Sequence, residues 1–177
     1  MERNSVVGCA LRRELGRVGI SGLQRGHHGQ AVIFSALADA GVMVDDIVQT
    51  DGDGGISLAF TVEHAALAEA RDVVRAAIDR MAPGDDSIGV DVEIGLAKVS
   101  AVGSGMRSSI GVAGRMFQAL SLAEIPILNI TTSEIRISCL VPQDRGDAAL
   151  AVVHEAFGLD RDPQDGPFLG LADQEQE

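Results

Sequence analysis

The sequence predicts an α+β protein built from two copies of one unit, each running strand, helix, strand, strand, helix and strand. Three observations predict it. The chain repeats itself without a gap: Phe34-Ser-Ala-Leu-Ala-Asp-Ala-Gly-Val-Met-Val-Asp-Asp-Ile matches Phe117-Gln-Ala-Leu-Ser-Leu-Ala-Glu-Ile-Pro-Ile-Leu-Asn-Ile at Phe34/Phe117, Ala36/Ala119, Leu37/Leu120, Ala40/Ala123, Val42/Ile125, Val44/Ile127 and Ile47/Ile130. Such self-similarity marks a duplicated architecture. The hydrophobic period switches within each copy between the two-residue spacing of strands and the helical spacing. Finally, 177 residues suit two small domains, and with 46% apolar residues but only five aromatics, all Phe, the core is made of Val, Ile, Leu and Ala.

Val6–Leu11 is a strand-like segment ahead of the first copy. Arg17–Leu23 follows as a strand, and its Val18–Gly22 matches Val99–Gly103 in the second copy. Val42–Thr50 is the next strand, and Gly54-Gly55 marks a hairpin turn. In Ile56–Val62, Ile56, Leu58, Phe60 and Val62 alternate with Ser57, Ala59 and Thr61, the pattern of a half-buried strand. Leu67, Ala70, Val74, Ala77 and Ile78 form the apolar stripe of a helix, which Pro83-Gly84-Asp85-Asp86 ends. Ile88–Ile94 then gives the first copy a fourth strand. The second copy repeats the third strand with Ile135, Ile137, Cys139 and Val141, and its last helix with Leu150, Val153 and Phe157. After it comes only Asp160–Glu177, rich in Asp, Gln, Gly and Pro, which reads as a disordered tail. The second copy thus lacks a fourth strand, while Val6–Leu11 is spare. The simplest solution gives Val6–Leu11 to the second copy's sheet, so that the first copy is inserted in the second. The expected domains are 17–95, then 6–12 with 97–160, with 161–177 as tail.

Charge and motifs exclude several function classes. The net charge of −12 opposes sequence-independent nucleic-acid binding, which needs Lys and Arg to neutralise phosphates. Its acids at Asp45-Asp46, Asp51, Asp53 and Asp85-Asp86 read as solubility. Cys9 and Cys139 are too few for a disulfide framework or zinc site and read as buried free thiols. No apolar run approaches the roughly 20 residues that span a bilayer and no signal pattern opens the sequence, so no membrane association and a cytoplasmic location are expected. His27-His28, His64 and His154 have no ligand spacing for a metal; the adjacent pair reads as a solvated loop or an altered ligand contact. No cofactor is implied. Ser104-Gly-Met-Arg-Ser-Ser before a helix suits an anion but lacks the ending of a P-loop, leaving a carboxylate site, a purely structural turn or a phosphate site. No nucleophile–base constellation or paired carboxylates are framed for catalysis. Lys98, the only lysine, stands at a strand start and reads as solvated.

The stretch from Lys98 to Phe157, with Lys98-Val-Ser-Ala-Val-Gly-Ser-Gly-Met-Arg107 and Thr132-Ser-Glu-Ile-Arg-Ile-Ser138, resembles the C-terminal regulatory region of aspartate kinases. The resemblance runs from about Val6 to Asp160 and implies two ferredoxin-like βαββαβ ACT domains, the first inserted in the second. It implies a non-catalytic regulatory subunit that senses an amino-acid effector; nothing in the chain resembles the Lys-Phe-Gly-Gly-Thr-Ser start of the kinase domain. The implied partners are a second copy, through sheets and helices across a two-fold axis, and an aspartate kinase catalytic subunit. The alternative is a freestanding ACT protein with a changed or lost pocket that serves another enzyme. Carried onto this sequence, the candidate effector contacts are Arg25, His28, Gln30, Gln49, Ser108, Ser109, Ile127, Thr132, Ser133 and Glu134. They are expected at the junction of the Leu23–Gly29 loop of one unit with Ile127–Glu134 of another. The departures fall at that site. The family's Asp-any-Pro-Gly loop is Arg25-Gly26-His27-His28 here, its His-Pro-Gly is Ser109-Ile110-Gly111, and its Asn at the start of each second strand is Met43 or Pro126. Arg25 is then expected to oppose a cationic ligand such as lysine.

Overall fold

Strand and helix periods resolve into ten main elements in the computed structural model, which describes residues 6–26, 28–52, 54–104 and 111–159. They are β1 (Gly8–Leu23), α1 (His28–Asp39), β2 (Asp45–Gly52), β3 (Gly55–Glu63), α2 (Leu67–Met81), β4 (Gly89–Val102), α3 (Val112–Leu122), β5 (Asn129–Thr132), β6 (Arg136–Pro142) and α4 (Gly146–Ala156). The strands form one antiparallel sheet in the order β2-β3-β1-β4-β6-β5. This is the α+β class that the alternating periods predict. The expected tail lies outside the described residues.

Two expected breaks are absent. Val6–Leu11 and Arg17–Leu23 belong to one long strand, β1, and Ile88–Ile94 runs on through Lys98 as β4. The polar Arg12-Arg13-Glu14 looks like an interruption in the sequence but is an irregularity within the strand. The register slips between Arg12 and Leu15 and again between Leu15 and Arg17. Glu14 takes a left-handed φ of 56°, and Gly95 on β4 has φ 72°. A bulge bends a strand without ending it. Gly8–Arg12 pairs with Lys98–Val102, which pairs on its other side with β6, whereas Arg17–Ile20 pairs with β3. One strand therefore serves both copies.

Two apolar cores sit under the two halves. Val18, Ile20, Phe60 and Val62 of the first meet Ile33 and Leu37 of α1 and Ala70, Val74 and Ala77 of α2. Val6, Val99, Ala101, Cys139 and Val141 of the second meet Met116 and Leu120 of α3 and Ala149, Val153 and Phe157. Each large side chain fully buried there contributes about 1.5–3 kcal/mol, set against the entropy of ordering the chain. Val6 buries itself in the second core, on the side of the sheet pairing just described.

The duplication reaches down to single bonds. After α1 the amide of Val42 donates to Leu37 O and that of Gly41 to Ala38 O; after α3, Ile125 donates to Leu120 O and Glu124 to Ser121 O. Both are Schellman endings, which need a left-handed residue next to the helix. Gly41 supplies it at φ 73°, and Glu124 adopts it at φ 54°. Where β1 and β4 meet the helix that follows the third strand of each copy, bulk has changed sides. A methyl at Gly16 would meet Leu67 Cδ2 at 2.7 Å, whereas in the second copy Ala97 stands opposite Gly146, where a methyl would lie 3.2 Å from the Ala97 Cβ.

Candidate functional site

The outer strands β2 and β5 are five places apart in the sheet. Flat, at about 4.7–4.9 Å per strand, they would lie roughly 24 Å from each other. Yet Thr131 Oγ1 on β5 donates to Asp46 Oδ1 on β2 at 3.0 Å. The sheet therefore curls until its two edges touch, and its inner face becomes a small enclosed space holding Leu15, Leu96 and Leu140.

Lys98 lies in that space at 2% exposure. Its Nζ is 2.5 Å from Asp45 Oδ2 and 2.9 Å from Asp46 Oδ2. The lone lysine expected to be solvated is thus buried, and the aspartates expected to serve solubility are its partners. The cause is tertiary: β4 is covered on one face by the helices and on the other by the curled sheet. Arg12 adds a second cation to Asp45 at 3.3 Å, and Thr61 Oγ1 donates to Asp45 O at 3.1 Å. Burial alone would raise the Asp45 carboxyl; the bonds from Lys98 and the Asp46 amide, with the charges of Lys98 and Arg136, outweigh it and hold its pKa below the usual carboxylate value. Ser100 and Ser138 share a hydrogen bond of 2.8 Å nearby. No buried side-chain nitrogen or oxygen among the described residues is left without a partner.

The candidate contacts separate into two groups. Arg25 and His28 border a cleft of about 310 Å³ at the start of α1, floored by Leu23, Met81, Ala82 and Ile88. Arg25 is paired within the chain: its Nε meets Asp51 Oδ1 at 2.9 Å and its Nη2 meets Gly52 O at 2.7 Å. Its expected opposition to a cationic ligand is accordingly reduced, because Asp51 balances the charge. Gln49, Thr132 and Ser133 line a second cleft, about 480 Å³, between β2 and β5 with Asp46, Thr131 and Arg136. Gln30 on α1 joins this group by donating from Nε2 to Gln49 Oε1 at 2.8 Å. Ile127 is half-buried against the second core just before β5. Glu134 is exposed in the β5–β6 turn. Ser108 and Ser109 lie outside the described residues. The two Asn-replacing residues, Met43 and Pro126, are exposed at the approaches to β2 and β5.

Sequence reading missed Arg136, which occupies an ordinary polar position of a strand. The other described basic side chains are engaged. Arg12, Arg13, Arg17, Arg25, Arg71 and Lys98 pair with carboxylates, Arg75, Arg80 and Arg145 donate to backbone carbonyls, and Arg115 lies over the Phe157 ring. Among the described residues no three His, Cys, Asp or Glu side chains gather to hold a metal ion, and no helix is long and apolar enough to cross a membrane.

Tandem βαββαβ units sharing one sheet, with their outer strands framing a polar cleft, define a tandem ACT-type module. The ACT domain family model matches residues 99–157. The chain is 33% identical to the regulatory subunit of aspartate kinase from Thermus thermophilus in its ligand-free form, with a TM-score of 0.78 over 86% of this chain and 99% of that one. A structure of aspartokinase alpha and beta subunits matches at 32% identity and a TM-score of 0.76, over 86% of this chain and 98% of that one. The aspartokinase of Helicobacter pylori is 39% identical over 162 residues, which is 91% of this chain and 38% of that protein. The chain belongs to the family of aspartate kinase regulatory subunits, and it spans about two fifths of the length of the aspartokinases it matches.

Proposed function

We propose that this chain is the non-catalytic, effector-sensing part of an aspartate kinase, acting as a two-fold homodimer beside a kinase catalytic chain. The observation that carries the reading is the likeness to the Thermus thermophilus regulatory subunit, which covers 99% of that protein. The alpha and beta subunits named together for one relative support a separate catalytic partner. The unpaired outer edges of β2 and β5 support pairing between copies, since an open strand edge is a template for another strand. Gln30 with Gln49, Thr132, Ser133 and Glu134 are the residues we assign to the effector, with Arg25 and His28 at the mouth of the neighbouring cleft.

The same residues limit which amino acid fits. Met43 and Pro126 carry no side-chain hydrogen-bonding group equivalent to an amide, and each missing bond costs roughly 0.5–1.5 kcal/mol of affinity. Tight lysine binding is not expected, and threonine binding is expected to be weak or absent. Calorimetric titration of the purified chain with the twenty amino acids tests the reading, with sedimentation in parallel. Saturable binding of at least one amino acid by a dimer supports it. A monomer at micromolar concentration that binds none, and leaves an aspartate kinase catalytic chain unaffected, overturns it.

A further inference from the structure

The guanidinium of Arg136 makes no hydrogen bond, ion pair or ring contact and reaches Asp45 only through longer-range charge, although the chain carries 26 acidic residues against 14 basic ones. It is alone in this among the described basic residues, and it lies where the two outer strands frame the 480 Å³ cleft. The carboxylate lining the same cleft cannot satisfy it. Asp46 is held back by Lys98 at 2.9 Å, by Thr131 at 3.0 Å and by Thr61 at 3.4 Å.

We propose that Arg136 anchors the carboxylate of a small amino-acid-like ligand seated between β2 and β5 of a single chain. The proposal rests on the effector-sensing reading above and names the group that would hold the ligand's charge. A guanidinium presents a planar fork of donors that matches a carboxylate bidentately. A second donor stands across the cleft: Gln30 takes the Gln49 carbonyl oxygen, which leaves the Gln49 amide NH2 to donate. The Ser133 hydroxyl makes only long contacts of 3.4 Å to Arg136 O and the Ile135 amide, so it is free to turn toward a ligand. The cleft's volume lies within the range of small-molecule sites. One unpaired cation close to Asp45 and Asp46 suits a singly charged carboxylate better than a doubly charged phosphate, whose second charge those aspartates oppose.

The test is calorimetric titration of the full chain, and of Arg136→Gln and Arg136→Lys, with the twenty amino acids and with the α-carboxamide of any that binds. The carboxamide and Arg136→Gln are each expected to weaken binding by about 10- to 100-fold, the size of a charge-assisted bond, with Arg136→Lys recovering part. An amino acid that binds Arg136→Gln within twofold of the natural protein overturns the anchor and leaves the regulatory reading standing. If no amino acid binds, acetate is titrated while the arginine Nε–H resonances are followed by NMR. A saturable shift at Arg136 keeps the anchor and removes the amino-acid reading, whereas no shift removes both. Should Arg136→Gln change sedimentation but not ligand affinity, the cleft belongs to a second copy of the chain, and the proposal falls.

Discussion

Replacing Lys98 by Met removes one positive charge from a buried position beside Asp46 while keeping most of the stem's volume. Asp46 then stands behind in that space with Thr61 and Thr131, and Asp45 keeps only Arg12 as an ion-pair partner. Removing one partner of a buried ion pair costs about 3–5 kcal/mol, because a charge is left uncompensated. Against a total stability of about 5–15 kcal/mol that is a large share, and it corresponds to a fall in Tm of roughly 6–20 °C for a chain of this size. Urea unfolding at pH 7 measures it. Acid gives a second reading. Asp45 has a folded pKa below its unfolded value, so its pairing stabilises fully above about pH 4 and is lost as pH falls through the lower folded value. The natural protein therefore begins to lose this increment as the pH falls below about 4, Lys98→Met has less of it to lose, and the gap between them narrows with acid. The triple variant Lys98→Met, Asp45→Asn, Asp46→Asn is expected to regain part of the loss, since neutral groups need no counter-charge. A difference below 1 kcal/mol at pH 7 would mean that Lys98 is solvated after all and that the curled sheet is misread.

Two further outcomes follow from single residues. Glu124→Gly is expected to stabilise by about 0.5–1 kcal/mol: the left-handed conformation costs an L-residue roughly 1–2 kcal/mol, and glycine returns about half of that as chain entropy. A thermal melt checks it, and a loss of stability would show that Glu124 is held there by contacts worth more than the strain. Cys139, whose thiol is pushed up to about 12 by burial, is expected to resist thiol reagents at pH 8 until the protein unfolds, with half-buried Cys9 reacting first. Because the unfolded thiol ionises near 9.0 and the folded one near 12, stability is expected to be flat below pH 9 and to fall as pH rises between them. Rapid labelling of Cys139 in the native state would contradict the burial.

The duplication, the helical stripes and the alternation of β3 were legible because they are local or depend on the chain compared with itself. The proximity of Gln30 and Gln49 was implied by the family pattern but not by the residues' own chemistry. Lys98 was misread because a strand-borne lysine is ordinarily solvated. A weak signal was present: Lys98 shares its face of the strand with apolar Leu96 and Val102, while the opposite face, Ala97, Val99 and Ala101, is wholly apolar. Arg12-Arg13-Glu14 hides the continuity of β1 for the opposite reason, since charge in a strand resembles a loop when a bulge turns it to solvent. Arg136 left no trace in sequence at all. Its singularity is a matter of which carboxylates the other cations reach, and this is decided only once the sheet has curled.

The sharing of β1 between two halves also sets a timetable. Arg17–Ile20 can close against Phe60 and its neighbours when roughly 40 more residues have been made, but Gly8–Arg12 waits for Lys98–Val102, roughly ninety residues downstream. At about 5–20 residues per second of synthesis that wait is roughly 5–20 s. For that interval the first half of β1 is an unpaired edge beside a half-made protein, exposing Val6, Cys9 and Leu11 before their core exists. Arg12 and Arg13 end this open stretch, and charges on an unpaired strand discourage wrong partners. The residues that interrupt the strand pattern on paper thus stand where a growing chain most needs protection from premature pairing.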